Sequence, residues 1–209
     1  MINVKDGDKI LFIGDSITDV DFNEGENETI GGKNIYALQV SEKLKEKHKK
    51  LTFFYRGIAS NRRYHVYDRL TRDCIDLKPD IIIMLIGVND AWENYVPENY
   101  PPLLRPFEPH MKEIFRRIKS ELSGAKLVTM LPFLIDTMPE KEPFHKILDD
   151  YRDKLSEYAK GNTAELIDLQ KVFNEAQKID KPYDLSHDGV HPTDYGHSKI
   201  AEAVLEFLD

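Results

Sequence analysis

Lys9-Ile10-Leu11-Phe12-Ile13-Gly14-Asp15-Ser16-Ile17-Thr18 is the stretch on which the reading of this chain turns. Ile10 to Ile13 is apolar and rich in β formers, with no polar alternation, as a strand covered on both faces should be. It runs straight into Gly-Asp-Ser. Strands of that kind belong to parallel sheets, which bind ligands at their carboxyl ends. The triplet also has an ordinary reading, a strand-to-helix turn in which glycine gives the tight backbone and Asp or Ser caps the helix. What separates the two is the company Ser16 keeps further along.

Moving outward, Asp80-Ile81-Ile82-Ile83-Met84-Leu85-Ile86 is a second unalternated apolar run, and it leads into Gly87-Val88-Asn89-Asp90. Further strands are expected at 51–55, followed by Arg56-Gly57-Ile58-Ala59-Ser60-Asn61, and at 126–131 and 165–169. Apolar residues at helical spacing predict helices over 33–48, 66–77, 110–122, 144–160 and 193–208, with Pro79 stopping the second. Residues 19–32, acidic and glycine-containing, read as a surface loop near Ser16, and 91–109, rich in proline and aromatics, as another loop. Strands alternating with helices imply right-handed crossovers and a parallel sheet, so the expectation is one three-layer α/β domain over 1–209. The ends at 14–16, 57–61 and 87–90 then share one rim and face a common ligand.

Composition narrows the function classes. Charged residues make up 32% and apolar residues 41% of 209, a normal globular balance for one domain. No apolar run approaches the roughly 20 residues that span a bilayer, and the first residues lack the layout of a secretion signal, so a cytoplasmic protein is expected. A net charge of −8 argues against a nucleic-acid or anionic-membrane partner, and the basic run at 43–50 is broken by Glu46, as on a solvated helix end. The single cysteine, Cys74, excludes an intramolecular disulfide and falls on an apolar helical pattern with Val66, Leu70 and Leu77, which makes it a core residue.

The chemistry lies at both ends. Asp188-Gly189-Val190-His191-Pro192 stands just before the last helix, with Pro192 expected in the first helical turn and His191 at the helix entrance. A serine hydroxyl needs an adjacent base, here His191, and the imidazole needs a carboxylate, here Asp188 three residues away. Candidate donors for the oxyanion are the Ser16 N–H, an N–H of the 57–61 turn and the Asn89 amide. His187, His191 and His197 with Asp188 and Asp194 have the residue types of a metal set, but their spacing matches no zinc signature, and His187 and His197 read as surface residues. Trp92, with Tyr95 and Tyr100, either packs inward or stacks on a sugar face.

Gly14-Asp15-Ser16-Ile17, the block after the second strand, Gly87-Val88-Asn89-Asp90 and Asp188-Gly189-Val190-His191-Pro192 occur in order, and from about residue 9 to 207 the chain resembles the SGNH (GDSL-type) hydrolases. That resemblance implies a flavodoxin-like α/β/α sandwich on a five-stranded parallel sheet. It also implies a triad of Ser16, Asp188 and His191, oxyanion donors from Ser16, Ser60 and Asn89, and no metal or organic cofactor. Ser60 departs from the family pattern, which usually ends its second block in glycine; the N–H survives, but glycine tolerates φ > 0 and serine does not readily. The blocks at 10–19 and 86–92 look most like acetylxylan and oligosaccharide acetylesterases. They imply a small acetylated sugar as partner, with Asp15, Gly57 and Trp92 near it. Thioesterase, lysophospholipase and arylesterase activities share the same triad, and self-association is left open. A reading of another class is a flavodoxin-like receiver module with Asp15 and Asp90 holding Mg²⁺ or a phosphoryl group, although Asp168-Leu169-Gln170 stands where a receiver has its lysine.

Overall fold

Strand β1 (Lys9–Gly14) is buried at every position after Lys9, and the reason is its two neighbours and two helical layers. In the computed structural model, which describes residues 1–21, 34–95, 107–162 and 164–208, β1 pairs with β2 (Thr52–Gly57) on one side and β3 (Ile81–Leu85) on the other. β4 (Lys126–Leu131) and β5 (Glu165–Asp168) complete a sheet of order β2-β1-β3-β4-β5, and every pairing is parallel. This is the flavodoxin-like order, in which the chain reverses its direction of travel between β1 and β3 and opens a crevice there. Register lines up the rim: Gly14 lies opposite Gly57 and Leu85. The residues that follow the three strands therefore leave the sheet at one level.

The helices are α1 (Tyr36–Lys47), α2 (Arg63–Leu70), α3 (Val88–Tyr95), α4 (Phe107–Glu121), α5 (Phe144–Gly161), α6 (Leu169–Ala176), α7 (Pro182–Leu185) and α8 (Asp194–Leu205). A π-helical turn, Thr71–Ile75, extends α2. Strand side chains alternate between two apolar layers, as a period of two demands. Ile10, Phe12, Ile81 and Ile83 pack with Tyr36 and Val40 of α1 and Ile200 and Val204 of α8. Leu11, Ile13, Ile82 and Met84 pack with Val66 and Leu70 of α2, Cys74, and Met111, Ile114 and Phe115 of α4. Each such side chain contributes about 1.5–3 kcal/mol by leaving water, which is what holds the layers on the sheet. No helix among the described residues is long and apolar enough to cross a membrane.

The structure corrects the sequence reading of several elements. Residues 88–95 form α3, so part of the stretch read as a loop over 91–109 is helical; Tyr100 and the rest of that loop between α3 and α4 lie outside the described residues, as does most of the loop expected at 19–32. Helix α6 was not expected. It follows β5 directly, with the Asp168 carboxylate accepting the Lys171 N–H at 3.0 Å as its cap. Pro192 lies outside α8: the cap is Thr193, whose Oγ1 accepts the Gly196 N–H at 3.1 Å, and Pro192 instead bridges to Ser186.

Gly57 has a steric reason. A Cβ there would lie 2.2 Å from the Asp19 nitrogen and 2.2 Å from the Thr18 carbonyl carbon. The turn after β1 therefore crosses the end of β2 at a distance that only glycine permits.

Candidate active site

The turn that carries Ser16 is held by its own backbone and by the side chain before it. The Asp15 carbonyl accepts the Thr18 N–H at 3.0 Å, and Asp15 Oδ1 accepts the Ile17 N–H at 3.1 Å. Ser16 itself is 6% exposed, and its Oγ stands 3.0 Å from His191 Nε2. Residues 175 apart in sequence meet because β1 and the loop before α8 end on the same rim.

His191 is held from its other nitrogen. Nδ1 lies 2.7 Å from Asp188 Oδ2, while Asp188 Oδ1 accepts the backbone N–H groups of Val190 at 2.9 Å and His191 at 2.8 Å. Burial pushes the Asp188 carboxyl up, but hydrogen bonds from the His191 ring and these N–H groups outweigh it and hold the group well below the usual carboxylate range. An ionised Asp188 keeps the proton on Nδ1, which leaves the Nε2 lone pair facing the Ser16 hydroxyl. The loop is fastened further by Ser186 Oγ, which donates to the His191 carbonyl at 2.8 Å and accepts the Gly189 N–H at 2.9 Å. Gly189, at φ +84°, gives its carbonyl to the Ile135 N–H at 2.9 Å, and a Cβ there would lie 2.7 Å from the Ile135 oxygen.

The residues after β2 and β3 close the other side of the serine. Asn89, in the first turn of α3, donates one Nδ2 hydrogen to the Asn61 carbonyl at 3.2 Å, and an amide has a second N–H to give. Ser60 has φ 62°, the left-handed conformation that glycine tolerates and serine does not readily. For a residue with a Cβ this costs roughly 1–2 kcal/mol. Ser60→Gly is therefore expected to stabilise the protein by roughly 0.5–1 kcal/mol after glycine's entropy cost, seen as a higher urea midpoint at unchanged slope. An unchanged or lower midpoint would contradict the strain.

A pocket of about 160 Å³ opens beside the imidazole, lined by Val88, Asn89, Trp92, Lys141, Asp188, Val190 and His191. A larger hollow of about 530 Å³ lies at the opposite pole, near the amino ends of the strands against Asp80, Ile81 and Lys126, far along the sheet from the serine. The chemistry belongs beside the smaller one, because the base and the amide line it and the Ser16 hydroxyl, though not itself in the wall, stands 3.0 Å from that base.

Comparison with known proteins agrees with that geometry. The family model for GDSL-like lipases and acylhydrolases matches residues 12–199. The chain belongs to the GDSL family. This GDSL hydrolase is 30% identical over 212 residues to an acetylxylan esterase of Geobacillus stearothermophilus, covering 98% of this chain and 95% of that one. The crystal structure of Axe2, an acetylxylan esterase from the same organism, superimposes with a TM-score of 0.81 at 29% identity, covering 97% of this chain and 94% of that one. A GDSL-like lipase structure from Parabacteroides merdae gives 0.82 at 27% identity, covering 98% and 97%. Family and relatives together make the chain a carboxylic ester hydrolase.

Within this GDSL hydrolase, the other residues singled out in the sequence are placed as follows. Trp92 lines the pocket and packs edge-on to Phe144, with centroids 5.3 Å apart, and at a tilt to Tyr95, also at 5.3 Å. Asp15 and Gly57, expected near substrate, do not line it. Asp15 is 0% exposed, and burial pushes its carboxyl up to about 7; its Oδ2 has no hydrogen-bond partner among the described residues. Gly57 packs instead on the backbone at 18–19. His197 is not a surface residue: it is buried, stacked on Tyr36, and held down to about 3 by desolvation. His187 is exposed and stacks on Tyr183, and Asp194 accepts the Asn34 N–H at 2.8 Å. The receiver reading fails on access, since Asp15 and Asp90 are 0% and 1% exposed.

Two arginines that brace the site were not anticipated. Arg69 donates to the Gly14 carbonyl at 2.9 Å, to Asn61 Oδ1 at 2.9 Å and to Asp73 at 3.0 Å, so one guanidinium ties the end of β1 to the block after β2. Arg63 pairs with Asp90 and also gives it a backbone N–H at 3.0 Å, joining that block to α3 and hence to Asn89. Desolvation raises the Asp90 carboxyl to about 6, against the pull of Arg63. The signal for Arg69 was available: Arg69 and Asp73, four apart, share a helical face with the apolar Val66 and Leu70.

Proposed function

We propose that this GDSL hydrolase is a serine esterase that removes O-acetyl groups from short carbohydrates, with Ser16, His191 and Asp188 as its triad. The observation that carries this reading is the unbroken line from Ser16 Oγ to His191 Nε2 at 3.0 Å and from His191 Nδ1 to Asp188 Oδ2 at 2.7 Å. Ser16 attacks the ester carbonyl while His191 takes its proton. The oxyanion of the tetrahedral intermediate is held by the N–H groups of Ser16 and Ser60 and by the second Nδ2 hydrogen of Asn89. As the intermediate collapses, His191 returns the proton to the departing sugar hydroxyl and leaves an acetyl-serine. A water molecule, deprotonated by His191, then attacks that ester, and His191 passes the proton on to Ser16 Oγ as the intermediate collapses, releasing acetate and free Ser16.

Several observations support the choice of acyl group and alcohol. A pocket of about 160 Å³ is small against the 300–1,000 Å³ of sites for larger ligands, which favours a compact ester over one with a long acyl chain. Trp92 lends the wall an aromatic face of the kind that packs against a sugar ring. Among the solved Axe2 structures are catalytic mutants with alanine in place of a serine, an aspartate and a histidine, and two further mutants are described as acetyl-xylooligosaccharide esterases. The test is a series of p-nitrophenyl esters of rising acyl length beside acetylated xylo-oligosaccharides. The expected outcome is turnover of the acetylated sugars, with kcat/KM falling at least tenfold, about 1.4 kcal/mol, from acetate to octanoate. A preference for the long acyl chain, or inert sugars, would turn the reading toward a lipase or thioesterase.

A further inference from the structure

We propose that Lys141 makes the pocket selective for substrates that carry a carboxylate near the scissile acetyl ester, as an acetylated oligosaccharide bearing a uronic acid does; the inference rests on the carbohydrate-acetylesterase reading above. Lys141 closes a short 3₁₀ turn, Pro139–Lys141, between β4 and α5, and the turn delivers its side chain to the pocket wall. Its ammonium lies 5.4 Å from the centroid of the Trp92 ring and donates to the Asp188 carbonyl oxygen at 2.5 Å. An ammonium has three N–H donors, and that bond uses one.

Charge compensation distinguishes Lys141 from the other cations of the rim. Arg62 faces Glu93, Arg63 faces Asp90, and Arg69 faces Asp73. Lys141 has no carboxylate partner among the described residues, and the one carboxylate that shares its pocket, Asp188, is taken by the His191 ring and two backbone N–H groups. In a protein of net charge −8, Lys141 thus brings to the pocket, beside the ionised Asp188, an ammonium that no carboxylate of the described residues contacts, on the face where an alcohol moiety would lie over Trp92. A half-buried ammonium held by one neutral carbonyl and a ring face is an expensive way to fill that space, because its desolvation is only partly offset. Methionine would pack on Trp92 as well. The charge gains its full value when an anionic group of the substrate enters and takes the remaining N–H donors, a charge-assisted bond stronger than any a neutral hydroxyl makes there.

The experiment compares kcat/KM for two acetylated xylo-oligosaccharides matched in length, one unbranched and one bearing a glucuronic acid branch, for the full chain and its Lys141→Met and Lys141→Arg variants. The wild type is expected to favour the acidic substrate by about five- to tenfold at about 0.01 M salt, with the preference shrinking at about 1 M, where charges are screened beyond about 3 Å. Lys141→Met should erase the preference by lowering the acidic value more than the neutral one, and Lys141→Arg should keep it. A residue that only positioned the Asp188 loop would lower kcat for both substrates alike and leave their ratio untouched. Equal rates in the wild type, or a preference that survives in Lys141→Met, would overturn the role of Lys141 while leaving the esterase reading standing. Failure to deacetylate either sugar would overturn the carbohydrate reading and this inference with it.

Discussion

Ser16→Ala is expected to lower kcat on an acetylated sugar by about 10⁶-fold while the protein still folds. The size of the loss follows from how the triad acts as a unit: without Oγ there is no nucleophile, and His191 and Asp188 have no proton to move. A residual acceleration of about 10³–10⁴ over the uncatalysed reaction should remain, because the oxyanion donors and the pocket still bind the substrate. Folding should be spared because the turn does not depend on the hydroxyl. The bonds that shape it come from the Asp15 carbonyl and carboxylate, and among the described residues the Ser16 hydroxyl bonds to His191, beside the pocket, where water can replace it. Steady-state kinetics beside a thermal melt reads both halves. A drop below a hundredfold would mean that another group is the nucleophile.

Asp188→Asn is the second large effect, an expected fall of about 10⁴ in kcat. The carboxylate has two tasks, with Oδ2 on the imidazole and Oδ1 on the N–H groups of Val190 and His191. An amide has only one oxygen. If it stays on the two N–H groups, the amide nitrogen faces His191 Nδ1 and can only donate, which forces the ring proton onto Nε2. A protonated Nε2 cannot accept from Ser16, so the base is switched off with its position nearly unchanged. Stability adds a second readout. Because the folded-state pKa of Asp188 is depressed, its contribution is fully present above the ordinary carboxylate value and is lost as pH falls through the depressed one. The Asn variant lacks that dependence, so its loss of stability relative to wild type should shrink as the pH is lowered below about 4, which urea titrations at pH 7 and pH 3 would show. A constant difference would place the effect elsewhere.

How much of this was written in the sequence depends on whether the cause was local. Ser16, Asn89, Asp188 and His191 were legible because each follows a strand end or stands before a helix in a short, ordered motif, and parallel topology then brings the ends to one rim. The central strands were legible because burial on both faces demands unbroken apolar runs, as in β1 and β3. Helix α3 was not, since its eight residues are too few to be stable alone and are held by Trp92 on Phe144 and Asp90 on Arg63, contacts between distant segments. Helix α6 left a signal that the sequence reading passed over: Leu169, Val172, Phe173 and Ala176 recur at three and four residues behind an Asp cap. Asp15 was misplaced because a polar residue beside a nucleophile looks like a substrate contact, whereas its enclosure is a property of the whole fold. His197 was misplaced in the same way, although it shares the buried face of α8 with Ile200, Ala201 and Val204.

The proposed reaction stands or falls with Ser16, activated by His191, as the nucleophile. The most direct measurement is labelling with a serine-directed fluorophosphonate, followed by mapping of the modified peptide. One adduct per folded chain is expected, located on Ser16, absent from Ser16→Ala and formed far more slowly in His191→Ala. Folded wild-type protein that takes no label, or an adduct that persists on another residue in Ser16→Ala, would contradict it.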